Sequence, residues 1–422
     1  MMIALLLIYA SKALADEPAE TDIDVSVLGR TSAFFHDRNG SPEGNIFGNV
    51  RVQIKHSFGD TAALFLEPRI NFGSDQTVSK IMNLRDDDKK LGIIELHEGY
   101  VDITAEEFFI RTGKQVLKWG IGSIYSPIDR TINPRDYTDL LMEENRLGIW
   151  AVKANRAFGS VNVELISMPL FTPSRFAVPE SRWSPVGAYD PVTISRDLPR
   201  GTSELRGWCA SVSTTKSFLN RPWDVNSHFC EKRDHYGVPR IAGVAANGNL
   251  IVEAYYPKRR FASIELATSA GPYALYGEGI YHHTLKGADD DYLEYLFGIN
   301  RSFNDLLVDS DTLYLIMEYA GNRTVRNGNA NFLGTPDFKR QFSSMFFGRV
   351  IYEPAIRWTF ELTTFANADN DWQWGVEPKL IWRPKDNVEL TFGVQVFNGD
   401  KETLFRNFRD NRRAYIDFRY DF

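Results

Sequence analysis

No run of about 18 apolar residues occurs anywhere in the 422-residue chain, which excludes a transmembrane helix as its means of crossing a bilayer. Cysteine is almost absent. Cys209 and Cys230 are the only two, too few for a disulfide scaffold, and in an exported protein they are expected to form one disulfide within a long loop. Only His228 and His235 lie near them as potential ligands, so no metal or other cofactor is expected. Histidine is scarce too, at 7 residues, and neither Asp234-His235 nor His282-His283 sits in a nucleophile or acid–base motif, so no enzyme is expected. The chain also lacks a C-x-x-C-H haem attachment motif. A basic excess is missing as well: 48 Lys and Arg against 55 Asp and Glu give a net charge of −7, which argues against nucleic acid as a partner. With 43% hydrophobic and 24% charged residues, disorder is excluded by composition.

One short apolar run stands at the N-terminus, IALLLIYA at residues 3–10, followed by Ala13-Leu14-Ala15 before Asp16. A brief apolar segment ahead of a small-x-small site reads as a secretory signal peptide over 1–15, leaving 16–422 as a single domain.

From residue 22 to the end, the dominant signal is period-two alternation. In 387–397, Val388, Leu390, Phe392, Val394 and Val396 oppose Glu389, Thr391, Gly393 and Gln395. In 356–363, Ile356, Trp358, Phe360 and Leu362 oppose Arg357, Thr359, Glu361 and Thr363. Each segment has one face suited to hydrocarbon and one suited to water, is about 10–13 residues long, and carries aromatics near its ends. Short connections such as Phe58-Gly59-Asp60 and Gly271-Pro272 alternate with long ones such as 73–90, 120–145 and 171–259. This predicts an all-β fold: a closed, transmembrane, antiparallel up-and-down β-barrel of about 16 strands. A possible further hairpin in 240–256 would make eighteen, and 171–259 is otherwise a long extracellular or lumen-folded loop.

The chain ends AYIDFRYDF, with Phe418, Tyr420 and Phe422 at alternate positions. With this strand and the alternation over nearly the whole mature chain, it resembles Gram-negative outer-membrane β-barrel proteins of the porin type. The stretch RTGKQVLKWGIGSIYSPIDRTINPRDYTD, residues 111–139, is similar to a poorly characterised group of porin-like barrels with a G-K-Q…W-G strand. The resemblance implies integral residence in the cell outer membrane after export, contact with its lipid, and an assembly signal for the barrel-assembly machinery at Phe418, Tyr420 and Phe422. Monomer and trimer both stay open.

A barrel of this size is too wide for side chains alone to fill, so water enters and the inward positions decide function. The polar phase of the early strands places Arg51, Lys55, Glu67, Arg69, Arg111, Gln115 and Glu164 on the pore lining. The middle strands add Glu265, Glu278 and Glu318, and the late ones Arg349, Arg357, Glu361, Glu377, Lys379, Glu389, Asp417 and Arg419. Both signs are present, either as lateral pairs across neighbouring strands or as a segregated field at a constriction. In 120–145, stiffened by Pro127 and Pro134, the residues Asp129, Arg130, Arg135 and Asp136 are candidates to narrow the pore. The expected function is passive or weakly selective diffusion of small polar solutes through an outer-membrane channel. The alternative is a plugged or partner-dependent barrel: an export duct, an electron-carrier sheath or a structural receptor.

Overall fold

A computed structural model describes residues 20–36, 43–73, 80–83, 92–139, 145–177, 181–183, 192–195, 206–244, 250–328, 340, 342–367, 372–400 and 403–422. The predicted signal peptide, 1–15, lies outside these residues.

Eighteen strands build the wall. In chain order they are β1 (Glu20–Phe34), β2 (Gly44–Phe58), β3 (Ala62–Gly73), β4 (Gly92–Ala105), β5 (Phe108–Gln115) and β6 (Ile149–Phe158). There follow β7 (Val161–Met168), β8 (Gly207–Phe218), β9 (Arg221–Arg233), β10 (Lys258–Ala270), β11 (Tyr273–Thr284) and β12 (Asp291–Asn304). The last six are β13 (Thr312–Arg326), β14 (Ser344–Ala355), β15 (Trp358–Asn367), β16 (Gln373–Lys385), β17 (Val388–Gly399) and β18 (Arg413–Asp421). Each pairs antiparallel with the next, and β18 pairs back onto β1 from Ser26↔Asp421 to Phe34↔Arg413, closing the barrel without an edge. Short turns occupy the rim that holds both strand termini, and the long connections occupy the other.

Alternation places side chains as the sequence implies. Phe297, Met317 and Phe346 are 61%, 62% and 55% exposed on the outside, while Glu318, Ile316 and Ala320 between them point inward and are buried. Outward aromatics gather at both rims: Trp358 stacked on Trp382 and Tyr420 against Phe422 at the short-turn rim, Trp208 against Phe229 and Tyr295 against Tyr319 at the other. Such belts mark the two hydrocarbon–water boundaries.

The strand count is thus eighteen rather than sixteen, and the extra hairpin is not where the sequence suggested. Residues 238–244 and 250–255 form a small separate sheet, while β8 and β9 cross the wall inside the stretch expected to be one loop, 171–259. Their turn, Leu219-Asn220, has φ of 52° and 58°, the backbone of a tight hairpin, but carries neither the Asn-Gly nor the Asp-Gly that usually announces one. The inward face of β8 is also small rather than charged, with Gly207, Cys209, Ser211 and Ser213, because it packs on a loop rather than on water, while β9 turns Asn226, His228 and Lys232 inward to bond Glu265 and the Ile132 carbonyl. Accordingly, Cys209 and Cys230 are directly opposed wall residues joined by a disulfide, Cα–Cα 4.1 Å, not a loop staple. Trp208 and Trp223, read from sequence as loop aromatics, also lie on wall strands.

Candidate functional site

The lumen is divided by the segment between β5 and β6. This strand ends at Gln115, shorter than the alternation predicted, because Glu98 on β4 takes the Val116 N–H at 2.7 Å and turns the chain off the wall. Residues 119–125 then follow the inner surface across the strands. Trp119 stacks on His228 of β9, centroids 4.2 Å apart, and donates its indole N–H to Glu164 of β7 at 3.0 Å. Gly120 N–H reaches Glu265 of β10 at 2.7 Å, and Ile121 and Gly122 N–H both reach Glu278 Oε1 of β11, at 2.6 and 2.7 Å. Ser123 and Tyr125 N–H meet the two oxygens of Glu318 on β13, at 2.6 and 2.9 Å. The second Glu278 oxygen accepts from Ser126 Oγ (2.9 Å) and Ile128 N–H (3.2 Å).

Glu265 and Glu278 stand directly opposite each other on paired strands, an arrangement that like-charge repulsion opposes. Neither has a Lys or Arg partner among the described residues. Glu265 is compensated by Asn226 Nδ2 at 2.8 Å and His228 Nε2 at 3.0 Å beside the Gly120 N–H, and Glu278 mainly by backbone, a file of N–H groups donating hydrogen bonds to a charged acceptor worth roughly 1.5–3 kcal/mol each. Glycine is required here. At Gly120 the φ of 91° is left-handed and an added Cβ would lie 2.1 Å from Ser126 Oγ; at Gly122 it would lie 1.9 Å from Tyr125 O. The WGIGS sequence is therefore a strap shaped to carboxylates.

Helix α1 (Pro127–Ile132) follows, capped by Ser126, whose hydroxyl accepts Asp129 N–H at 3.1 Å. Ile128 and Ile132 are fully buried against Leu117, Trp119, Ile166, Cys209, Cys230 and Phe261. Inside the lumen, the strap and the adjoining wall thus form a dry core like that of a soluble protein.

Of the residues expected to narrow the pore, Asp129 is buried and internal to the loop. It accepts from Arg146 at 2.9 Å, from Asn133 at 2.8 Å and from Arg135, so it folds the segment rather than facing a solute. Arg130 donates to Tyr137 OH at 3.1 Å. Arg135 turns into the loop, with Nη1 on Asn145 at 2.6 Å. Of the four, Asp136 borders the large open space, paired with Arg175 at 2.8 Å, and Arg130 lines a second cavity of about 20 Å³.

The open space is a cavity of about 330 Å³ between residues 136–139 and 145–147 on one side and the wall of β1–β4 and β15–β18 on the other. Seven predicted lining residues border it: Arg51, Arg69, Glu361, Lys379, Glu389, Asp417 and Arg419. They are cross-paired. Arg69 and Arg51 meet Glu67 at 2.6 and 3.4 Å, Lys379 meets Glu361 at 3.5 Å and Glu377 at 3.7 Å, and Arg383 meets Glu389 at 2.9 Å. Arg349 also meets Glu361, at 3.3 Å. Asp417 receives both arms of Arg30, at 2.6 and 2.7 Å. Arg30, Glu95, Asp139 and Arg146 also border the cavity and were missed by sequence reading. Arg30 was findable, because β1 and β18 close on each other with the two residues in register.

Other expected lining residues lie elsewhere. Glu164, Glu265, Glu278 and Glu318 face inward but are covered by the strap. Gln115 is buried, donating to Ala151 O at 3.1 Å. Arg111 is paired with Asp102 at 2.7 Å and stacked on Tyr100, while Lys55 is exposed beside Asp24 at 3.8 Å. Arg357 is not on a strand; it lies in the β14–β15 turn and donates to Pro384 O at 2.7 Å. Phe418 and Phe422 are outward, 40% and 77% exposed.

Toward the long-loop rim the lumen is covered. Phe405 and Phe408, from the β17–β18 connection and its short helix α2 (Leu404–Asn407), pack among Phe34, Trp183, Phe342, Phe347 and Phe397. Arg413 ties this cover to the strap segment through Asp139 at 2.6 Å, and Asn411 is bonded to Arg182 O at 2.9 Å. Nearby, Ser174 Oγ meets His235 Nδ1 at 2.7 Å, a pair the sequence could not reveal. Ser174 has no exposure, and His235 Nε2 donates to the Arg130 carbonyl at 2.9 Å, so this is a structural contact. Burial holds the His235 pKa well below the usual histidine range, and its ring is neutral.

No family model matches the chain, and no curated protein sequence does. Solved structures do. Wzi, an Escherichia coli outer-membrane protein involved in group 1 capsule assembly and titled a carbohydrate-binding β-barrel, aligns at 10% identity and TM-score 0.54, covering 100% of this chain and 88% of its own. Pseudomonas aeruginosa OccK11 (OpdR) aligns at 9% identity and TM-score 0.52, with 95% of each chain covered. Acinetobacter baumannii OccAB4 aligns at 9% and 0.51, over 96% of this chain and 98% of the other. The closed wall, its two aromatic belts and these neighbours define the fold as that of an integral outer-membrane β-barrel of porin-like architecture.

Proposed function

We propose that this barrel is a narrow outer-membrane channel for small polar solutes, with passage confined to the space between residues 136–139 and 145–147 and the wall of β1–β4 and β15–β18. The observation that carries this reading is the charge-lined cavity of about 330 Å³ left beside the strap. Its volume is near the lower end of small-molecule sites, and cross-paired charges of both signs favour dipolar or weakly charged solutes over strongly charged ones. Liposome swelling with neutral sugars and amino acids of graded size tests it: the smallest should enter and disaccharides should not. Swelling by none of them sinks the proposal.

The cover of Phe405, Phe408 and Trp183 favours a second reading, a barrel that conducts only after its mouth is opened by a partner. Deleting 400–412 separates the two. Uptake that appears only in the deletion variant selects the gated barrel.

A further inference from the structure

We propose that the outer wall of β9–β13, at the long-loop rim, binds the phosphates of an outer-leaflet glycolipid. The alternation of β9 and β10 turns Arg233, Lys258 and Arg260 outward, between buried Lys232, Arg259 and Phe261. Arg233 lies directly opposite Lys258, and Arg260 directly opposite His283 on β11. Arg323 projects outward from β13, exposed, with no ion pair to any described residue. Against these stands one outward carboxylate on β9, Glu231, bridging Lys258 at 2.5 Å and Arg260 at 2.7 Å. Asp291, which takes His283 at 3.0 Å and Arg326 at 2.8 Å, is buried. Arg233 faces Lys258 across the ladder, which like charge opposes, and the outward cations Arg233, Lys258, Arg260 and Arg323 outnumber the one outward carboxylate of β9, an excess that an external anion would offset.

Position identifies the anion. Two residues down each strand toward the hydrocarbon, the outward side chains are Phe229, Ala262, Tyr281 and Leu293, with Phe229 41% and Tyr281 39% exposed. These belong to the aromatic belt at the boundary, so Arg260 sits about 7 Å along its strand beyond it, Arg233 and Lys258 about twice as far, and Arg323 directly opposite Leu293 at the belt's own edge, which puts the cluster at headgroup depth. A lipid headgroup bearing two phosphates spans a cluster of this width, and its acyl chains would lie on the Phe229–Tyr281 surface. Free phosphate shares the chemistry but would use the cations alone.

The test uses folded protein in phosphatidylcholine nanodiscs, titrated with a bis-phosphorylated diglucosamine lipid, with its dephosphorylated form, and with inorganic phosphate as competitor. The bis-phosphorylated lipid should bind, and the dephosphorylated form should bind more weakly by an order of magnitude or more. Each of Lys258→Gln, Arg260→Gln and Arg323→Gln should weaken binding about five-fold. Arg301→Gln, an outward arginine beside Tyr273 and Phe303 at the opposite rim, should leave it unchanged. Retained heat-modifiable mobility on electrophoresis shows that each variant is folded. Equal binding of the two lipids, full displacement by millimolar phosphate, or an unaffected triple variant would each overturn the proposal.

Discussion

Two sides of one lumen carry similar acidic side chains and put them to opposite uses. On β15–β18 and β1–β3, carboxylates find cations on neighbouring strands: Glu361 with Arg349 and Lys379, Asp417 with Arg30, Glu67 with Arg51. Those pairs satisfy each other and leave the wall wet. On β11 and β13 the inward Glu278 and Glu318 have no such ion pairs among the described residues, and a loop backbone supplies most of their donors instead, while Glu265 on β10 takes Gly120 N–H together with the β9 side chains Asn226 and His228. Whether an inward carboxylate lines a pore or anchors a strap is therefore decided by its lateral neighbours, not by its own identity.

Removing the anchors should break the contrast most severely. Glu278→Ala leaves four donor groups of residues 121–128 without their acceptor, and each buried donor left unsatisfied costs about 1–3 kcal/mol. Thermal unfolding in detergent should shift down, and protease should cut within 116–147 while leaving the wall intact. A smaller effect is expected of Gly120→Val, which forces a branched residue into left-handed backbone and should cost about 1–3 kcal/mol by the same assay. Glu278→Gln, which keeps shape and loses charge, should fall between Glu278→Ala and wild type.

Acidification probes the same side through His235. Its folded pKa lies below the unfolded value of about 6.5, so the unfolded chain binds the proton first and stability rises with pH. Stability should be full above about pH 6.5 and fall as pH drops through and below it. His235→Gln should flatten that part of the melting-temperature profile, and an unchanged profile would show that the ring is not the group responsible. On the open side, Lys379→Gln should change stability least, by about 1 kcal/mol or less, because its partners Glu361 and Glu377 keep Arg349, Tyr415 and Gln395. It should shift the zero-current potential toward cation preference.

The wall was legible from alternation because lipid on one side and water on the other impose opposite chemistries on successive residues. Legibility failed where that premise failed. β8 and β9 face a loop core rather than water, so Cys209 and Cys230 gave no polar phase, and their Leu219-Asn220 turn lacked glycine. In β3 and β4, a register shift beside Glu67 and Pro68 blurred the phase of the segment around His97. Charges counted over the whole barrel looked balanced. Compared strand by strand, the unmatched glutamates of β10, β11 and β13 and the Gly-x-Gly of 120–122 would have pointed to the strap.

Glutamates on one wall hold the strap, and the proposed path runs along the other. Single-channel conductance of wild type against Glu278→Ala/Glu318→Ala in planar bilayers tests it most directly. A small, steady wild-type conductance that becomes several-fold larger and noisier in the double variant is the predicted result. Equal conductance in two folded proteins would contradict it.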